Sequence, residues 1–190
     1  MSDPHHRSPP SSGSSYDSTS GSSRTPQEDA FVVESLAQYV PHNKALGIRF
    51  VGLDPVSVTL GLPYDDKLVG NPLTGVLHGG AITALLDATC GAAVFVRVGR
   101  PMPVATLDLR IDYLRPATPR REIFARAECF RVTESVAFVR ARAYHEGPEE
   151  ELVAVANGTF TLFRGHAGGA AEKAYAGAAP PAGPSPAGSR

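Results

Sequence analysis

The feature that most constrains this chain is a long apolar stretch, residues 71–98, that contains one carboxylate. Between His78 and Arg97 the ionisable side chains are those of Asp87 and Cys90, and the rest are Ala, Ile, Leu, Val, Phe, Gly and Thr. An apolar run of this length without helical alternation is typical of a helix buried on all sides. Because burying a carboxylate is costly unless hydrogen bonds compensate it, Asp87 needs a specific partner or a function.

The segments around this helix have the pattern of β-strands. Residues 56–62 and 107–113 alternate between apolar and polar side chains with a period of two, which predicts half-buried strands. Residues 48–53 form another short strand-like segment before an Asp-Pro turn signal. Three longer strands joined by short turns follow and predict an antiparallel meander, over residues 122–132, 135–145 and 152–163. One antiparallel sheet curled around one apolar helix is an α+β domain.

The domain is expected to span residues 25–164, with a disordered tail on each side. Residues 1–24 are rich in Ser, Pro and Gly, and residues 165–190 in Gly, Ala and Pro, so neither can bury enough surface to fold. Thr25, Pro26 and Glu28 form a capping box that predicts a short amphipathic helix ending at Pro41. Residues 64–75 are interpreted as a loop that leads into the central helix.

Composition narrows the possible partners. A net charge of −1 over 190 residues gives no electrostatic reason to expect nucleic acid or an anionic membrane as a partner. The apolar run at 81–96 has 16 residues, fewer than the roughly 20 that a membrane span needs. The chain also shows no signal-peptide pattern, and its two cysteines are isolated from each other. These observations favour a cytoplasmic protein with reduced thiols. Cys90 is interpreted as a core residue, because no histidine is placed to activate it. No zinc spacing or P-loop occurs.

Two motifs resemble the PaaI-type hotdog-fold thioesterases. The first is Gly-Val-Leu-His-Gly-Gly at 75–80 with Asp87 after it, and the second is Tyr-Leu-Arg-Pro-Ala at 113–117. The likeness extends over residues 46–163. It implies a hotdog fold, dimers joined edge to edge that often pair into homotetramers, and hydrolysis of acyl-CoA thioesters at sites shared between subunits, without a metal or organic cofactor.

The resemblance also implies roles for individual residues. Asp87 matches the catalytic carboxylate, and Gly79 and Gly80 match the turn whose N–H groups polarise the thioester carbonyl. His78 lies beside that turn, and Asn71 matches an asparagine that positions water or substrate.

Substrate contacts are expected from the residues around that carboxylate. Thr106 falls where relatives carry a Ser or Thr facing the site, and Thr83 shares a helix face with Asp87 at i, i+4. The turn at 134–135 is Glu-Ser, whereas relatives often have Gly followed by Arg or Lys near the CoA phosphates. Arg115 is therefore the first substitute candidate for phosphate binding, with Arg120 and Arg121 as further candidates.

Each assignment has a structural alternative that the sequence leaves open. The glycine pair suits an oxyanion hole at a helix start, and it also suits a tight turn against the sheet. Asp87 is expected to act as a general base or as a nucleophile, or else to be tied to nearby hydroxyls for structure. His78 either donates to a ligand or fixes the loop, and Asn71 either positions water or is a turn residue before Pro72.

Two other functions remain open for the same fold. A hydratase or dehydratase acting on acyl thioesters is faintly suggested by Asn-Pro-Leu at 71–73, although that motif needs an Asp just before it and a His just after it. A non-catalytic acyl-CoA binding protein would use the same pocket, and the altered turn at 134–135 is compatible with it.

Overall fold

The computed structural model describes residues 25–99, 102–147 and 151–163. Within these ranges the helices are α1 (Pro26–Tyr39), α2 (Pro41–Leu46) and α3 (Gly79–Val98), with a short 3-10 turn at Asp66–Leu68. The strands are β1 (Arg49–Leu53), β2 (Val58–Leu62), β3 (Val69–Asn71), β4 (Val76–Leu77), β5 (Val104–Tyr113), β6 (Ile123–Val132), β7 (Val136–His145) and β8 (Glu151–Leu162). The predicted tails lie outside the described residues.

Six strands form one antiparallel sheet in the order β1-β2-β6-β7-β8-β5. The meander β6-β7-β8 lies at its centre, as the three long alternating segments predicted. Strand β5 follows the central helix and pairs with β8, which places β5 at one edge of this sheet. Helix α3 packs across the sheet, and among the strands it contacts β6 and β7 most extensively. The α+β class, with an antiparallel sheet around one long central helix, is confirmed.

Helix α3 is not buried on every side, which corrects the sequence-based expectation. Its sheet-facing side is buried and includes Ile82, Leu85, Leu86 and Cys90, while Asp87 is half-buried on the opposite side. A single sheet can cover only one side of a helix, and the other side is left to α1 and to a cavity. By length and composition α3 could also cross a membrane, a property that core helices share, and 56% of its apolar window is buried inside the fold.

The region before α3 contains more regular structure than predicted. The capping box of Thr25 and Glu28 starts α1 as expected. Helix α1 ends at Tyr39, close to the predicted end at Pro41. Pro41 also begins a second helix, α2, that was not predicted, because proline is favourable at the first position of a helix. The predicted loop at 64–75 contains β3 and continues into β4, and the two pair as a small hairpin. A Cβ atom on Gly70 would lie 2.7 Å from the Cα of His78, so β3 packs tightly against the residue that precedes α3.

A buried histidine ties the segment after β5 to the sheet. His145 is fully buried, its Nε2 accepts a hydrogen bond from the Thr118 N–H at 2.9 Å, and its Nδ1 lies 2.6 Å from the Glu122 carbonyl oxygen. Because that carbonyl can only accept, Nδ1 carries the proton and the ring is neutral. Burial lowers the pKa of His145 from its ordinary value.

The lowered pKa of His145 predicts that the protein becomes less stable in weak acid. Since the folded pKa is lower than the unfolded value of about 6.5, the stabilisation is present above that value. It should decrease as the pH falls below about 6.5, by up to about 1.4 kcal/mol per pH unit, until the folded pKa is reached. Urea denaturation from pH 7.5 to 5.0 measures this. His145→Gln should be less stable at pH 7.5 and should lose less stability on acidification, and parallel curves for the two proteins would contradict the prediction.

Candidate active site

Asp87 and Thr106 meet on the open side of α3. The Thr106 hydroxyl donates to Oδ1 of Asp87 at 2.8 Å, which brings together a carboxylate and a strand residue that the sequence had predicted to face each other. Thr106 lies beside a β-bulge, because the register of β5 against β8 shifts between Thr106 and Asp108. Bulges redirect side chains and are frequent next to active sites. One oxygen of the carboxylate is therefore held in place from the neighbouring strand.

A cavity of about 480 Å³ lies between α1, α3 and β5, and Asp87 is on its wall. We refer to it as the α1–α3 cavity. Its volume is within the usual range for small-molecule sites. Its polar side chains are those of Thr83, Asp87 and Thr106 and, from α2, those of His42 and Asn43. Gly80, at the start of α3, also lies on its wall. The remaining lining is mostly apolar or formed by small residues, and comes from Val33, Leu36, Ala37, Val40, Leu60, Ala84, Ala88, Gly91, Ala92, Phe95, Val104, Ala105, Leu109 and Phe160.

The two glycines at the start of α3 differ in their hydrogen bonding. His78 is the N-cap residue, and its Nδ1 accepts the Gly80 N–H at 2.9 Å. The next amide, that of Ala81, donates to the His78 carbonyl at 3.0 Å. Within the described residues the Gly79 N–H donates to no protein acceptor, and it is the amide at the first helical position. Of the two predicted oxyanion donors, Gly79 is thus available and Gly80 is occupied by the cap.

The hydrogen bond from Gly80 determines the tautomer of a neutral His78 ring. An imidazole nitrogen that accepts an N–H carries no proton, so the neutral ring holds its proton on Nε2. This assigns His78 the capping role that the sequence had left as one of two options. The exposed Nε2–H is still a donor for a ligand.

Tyr113 is a residue at this site that the sequence analysis did not single out. Its hydroxyl donates to the Gly79 carbonyl oxygen at 2.7 Å and lies 3.0 Å from Oγ1 of Thr83. Tyr113 had been noted as part of the Tyr-Leu-Arg-Pro-Ala motif at the end of β5. Its contact with the start of α3 spans 34 residues of sequence and depends on how the sheet curves.

Other predicted site residues lie away from the α1–α3 cavity. Asn71 forms a turn, with its Oδ1 accepting the Leu73 N–H at 3.0 Å and its carbonyl accepting the Gly75 N–H at 2.8 Å. These contacts fit the alternative in which Asn71 is a turn residue, and its exposed side chain does not line the cavity in this chain. Its role in positioning water stays a prediction.

The proposed phosphate ligands are also engaged elsewhere. Arg115 and Arg121 both bind the carboxylate of Glu151, at 2.7 and 3.2 Å, and Arg121 also donates to the Glu146 carbonyl. Arg120 is an exposed residue with a positive φ of 59°. None of these three arginines lines the cavity, so the structure does not bring them to Asp87.

The cysteines belong to the core. Cys90 is fully buried one turn beyond Asp87, and burial raises the pKa of its thiol to about 12, so it is protonated at neutral pH and poorly nucleophilic. Burial likewise raises the pKa of Cys129 to about 11. The described parts of the chain contain no group of three or more His, Cys, Asp or Glu residues arranged to hold a metal ion.

Comparisons with known proteins agree with the fold. The chain matches the thioesterase superfamily over residues 74–152. It is 34% identical over 139 residues to the Halobacterium salinarum protein VNG_1336C, a candidate esterase, an alignment that covers 68% of this chain and 91% of that protein. The chain therefore belongs to the thioesterase superfamily, whose members have the hotdog fold.

Two further relatives are more specific. The medium/long-chain acyl-CoA thioesterase YigI of Escherichia coli is 29% identical over 147 residues, covering 69% of this chain and 91% of YigI. A mutant of the phenylacetic acid degradation protein PaaI from Thermus thermophilus has a similar structure, with a TM-score of 0.56 and 28% identity over 65% of this chain and 99% of that chain. PaaI-type proteins are thus among the structural neighbours, and the similarities support thioester hydrolase activity in general.

Proposed function

We propose that this protein hydrolyses acyl-CoA thioesters to a free acid and CoA. The observation that carries the proposal is the Asp87 carboxylate, which Thr106 holds on the wall of an otherwise largely apolar cavity. An acyl chain would occupy the cavity, and the reacting carbonyl would lie near the carboxylate. The similarity to YigI, which is named for activity on acyl-CoA, supports this class of substrate.

The chemistry needs a nucleophile and an oxyanion donor. In one route Asp87 takes a proton from water, the new C–O bond forms as the C–S bond breaks, and the CoA thiolate leaves and is protonated. In the other route Asp87 attacks the carbonyl itself, the C–S bond breaks and the CoA thiolate leaves to be protonated, and water then hydrolyses the resulting mixed anhydride to the free acid and the Asp87 carboxylate. In both routes negative charge develops on the carbonyl oxygen, and the free Gly79 N–H at the positive end of α3 would stabilise it.

A complete site would need two copies of the chain. Gly79 and Asp87 are eight residues apart, which is roughly 12 Å along a helix axis, so one α3 cannot present both to the same carbonyl. Strand β5 lies at the sheet edge and has exposed apolar side chains, Leu107 and Tyr113 among them. We place the partner along β5, so that Asp87 of one copy faces the Gly79 N–H of the other. Pairing of such dimers into homotetramers is a further step of this proposal.

The cavity walls favour an aliphatic acyl group. Helix α1 contributes Val33, Leu36 and Ala37, and Phe95 and Phe160 add two aromatic rings to the apolar lining. Burial of a methylene group in such surroundings is worth about 0.8 kcal/mol. We therefore include medium and long acyl chains in the proposed substrate class.

Gly91 provides a test of where the acyl chain lies. It is in the middle of α3 on the cavity wall, and a Cβ atom there would meet nothing within 4 Å. Gly91→Leu should fold, because replacing a helical glycine stabilises by roughly 0.5–1 kcal/mol. It should lower kcat/KM for long-chain acyl-CoA by about fourfold for each methylene displaced and leave short-chain substrates nearly unaffected. Gly91→Ala is the matched control, and a loss in Gly91→Leu that is equal for all chain lengths would contradict this placement.

The proposed function itself is tested with a panel of acyl-CoAs and a thiol-reactive dye. Release of free CoA supports it. Addition of water without thiol release would instead indicate a hydratase, and saturable binding without turnover would indicate an acyl-CoA binding protein. Either of these results would overturn the proposal.

A further inference from the structure

The Tyr113 hydroxyl reaches the first turn of α3 from strand β5. It lies 2.7 Å from the Gly79 carbonyl oxygen and 3.0 Å from Oγ1 of Thr83. A hydroxyl has one proton and a carbonyl can only accept, so Tyr113 donates to Gly79. The Thr83 hydroxyl must then donate to Tyr113. The three groups form a chain in which every proton points towards the glycine carbonyl.

One peptide group at the helix start is consequently held at both ends. The Gly79 carbonyl accepts from Tyr113, and the Gly80 N–H of the same planar peptide donates to Nδ1 of His78. Successive hydrogen bonds aligned in one direction polarise each other and strengthen the set. The orientation of this plane is fixed by two side chains from different elements.

We refer to these two hydrogen bonds, from Tyr113 and to His78, as the brace. The brace matters because the helix begins with two glycines. Glycine has no Cβ and populates many more backbone conformations than other residues, and the first turn of a helix has the fewest internal hydrogen bonds. A Cβ atom on Gly79 would lie 3.4 Å from the Tyr113 oxygen, so the tyrosine packs closely on this glycine as well as binding it. Without the hydroxyl, the first turn would sample more orientations.

We propose that Tyr113 is a positioning residue that holds the Gly79 N–H in its oxyanion-binding orientation. The inference rests on the proposed thioesterase function. The Cα atom of Gly79 joins the peptide that carries the free Gly79 N–H to the peptide that Tyr113 and His78 hold. Fixing the second peptide limits rotation about the backbone bonds of Gly79, and this limits the directions in which the Gly79 N–H can point. Oxyanion stabilisation depends on donors that are already oriented before the reaction. Tyr113 acts through the backbone and does not need to touch the substrate.

Tyr113→Phe removes the hydroxyl and keeps the ring. It should lower kcat about tenfold while KM changes less than about twofold, because misplacement of a donor affects the transition state more than substrate binding. Tyr39→Phe is the matched control, since Tyr39 is exposed on α1 and does not line the cavity. A kcat in Tyr113→Phe equal to that of the wild type, or a rise in KM alone, would each overturn the proposal.

Amide hydrogen exchange tests the brace without relying on activity. Tyr113→Phe should accelerate exchange of the hydrogen-bonded amides of Gly80 and Ala81 about tenfold and leave the amides of β6 and β7 unchanged, since local fraying need not involve the sheet. If the wild type hydrolyses no thioester but this local change occurs, the proposed function fails and the brace is supported. Acceleration throughout the sheet, or none at the helix start, would overturn the brace itself.

Discussion

Asp87→Asn is expected to leave a folded protein whose kcat for thioester hydrolysis is lower by about 10²–10⁴, the usual contribution of a catalytic base. The substitution keeps the shape of the side chain, and the Thr106 hydroxyl can still donate to the amide oxygen in place of Oδ1. The fold should therefore be retained, and the lost quantity is the negative charge that activates water or attacks the carbonyl. Steady-state release of free CoA, measured beside a thermal melt, separates loss of chemistry from loss of fold.

A matched substitution strengthens this test. Asp66→Asn makes the same chemical change on an exposed carboxylate that does not line the α1–α3 cavity, and it should retain wild-type kcat. An Asp87→Asn protein with near-normal turnover would refute the catalytic role of Asp87. A variant with low turnover and a melting temperature far below that of the wild type would favour the structural role instead.

Isotope labelling can then distinguish the two routes through Asp87. Repeated turnover in H₂¹⁸O should place ¹⁸O in the Asp87 carboxylate if an anhydride forms and water attacks its aspartyl carbonyl. If Asp87 only activates water, the label should appear in the released acid and not in the protein. Mass spectrometry of the peptide that contains Asp87 measures the outcome.

The central helix and the sheet could be predicted because their signals are local. The apolar run of α3, the capping box at Thr25 and the period of two in the strands each depend on neighbouring residues, and the structure shows them within one or a few residues of their expected bounds. The position of Thr106 opposite Asp87 was expected from the resemblance to the PaaI-type family rather than from a local pattern, and the two side chains are hydrogen-bonded.

The features that the sequence did not predict depend on tertiary packing or on residue types that suit two different local structures. Pro41 can end one helix and begin the next, and its neighbours do not decide between these. Small residues such as Ala88 and Gly91 give the same sequence pattern whether they pack in a core or line a cavity. The side of α3 that faces the cavity was therefore predicted to be buried. The contact of Tyr113 with Gly79 requires the curvature of β5, which no local pattern encodes.

The oxyanion donor can be removed alone by Gly79→Pro. Gly79 is at the first position of α3, where proline is favoured because its missing N–H has no partner within the helix. The preceding residue, His78, has φ −63° and ψ 132°, values that a residue before proline readily adopts. The variant should therefore fold with a stability close to that of the wild type. Its kcat should fall by about 10²–10³, the usual cost of one oxyanion donor.

Gly79→Ala is the control for this change, because it adds a Cβ atom 3.4 Å from the Tyr113 oxygen and keeps the N–H. If Gly79→Pro keeps more than about a third of the wild-type kcat, the Gly79 N–H does not contribute as much as an oxyanion donor should.

The same variant tests whether the site is shared between two copies of the chain. In a purified hybrid of one Asp87→Asn chain and one Gly79→Pro chain, a shared arrangement leaves one intact site of two, and activity should recover to about half that of the wild type. A site formed within a single chain would leave the hybrid as inactive as its parents, because each chain would carry a defect in its own site.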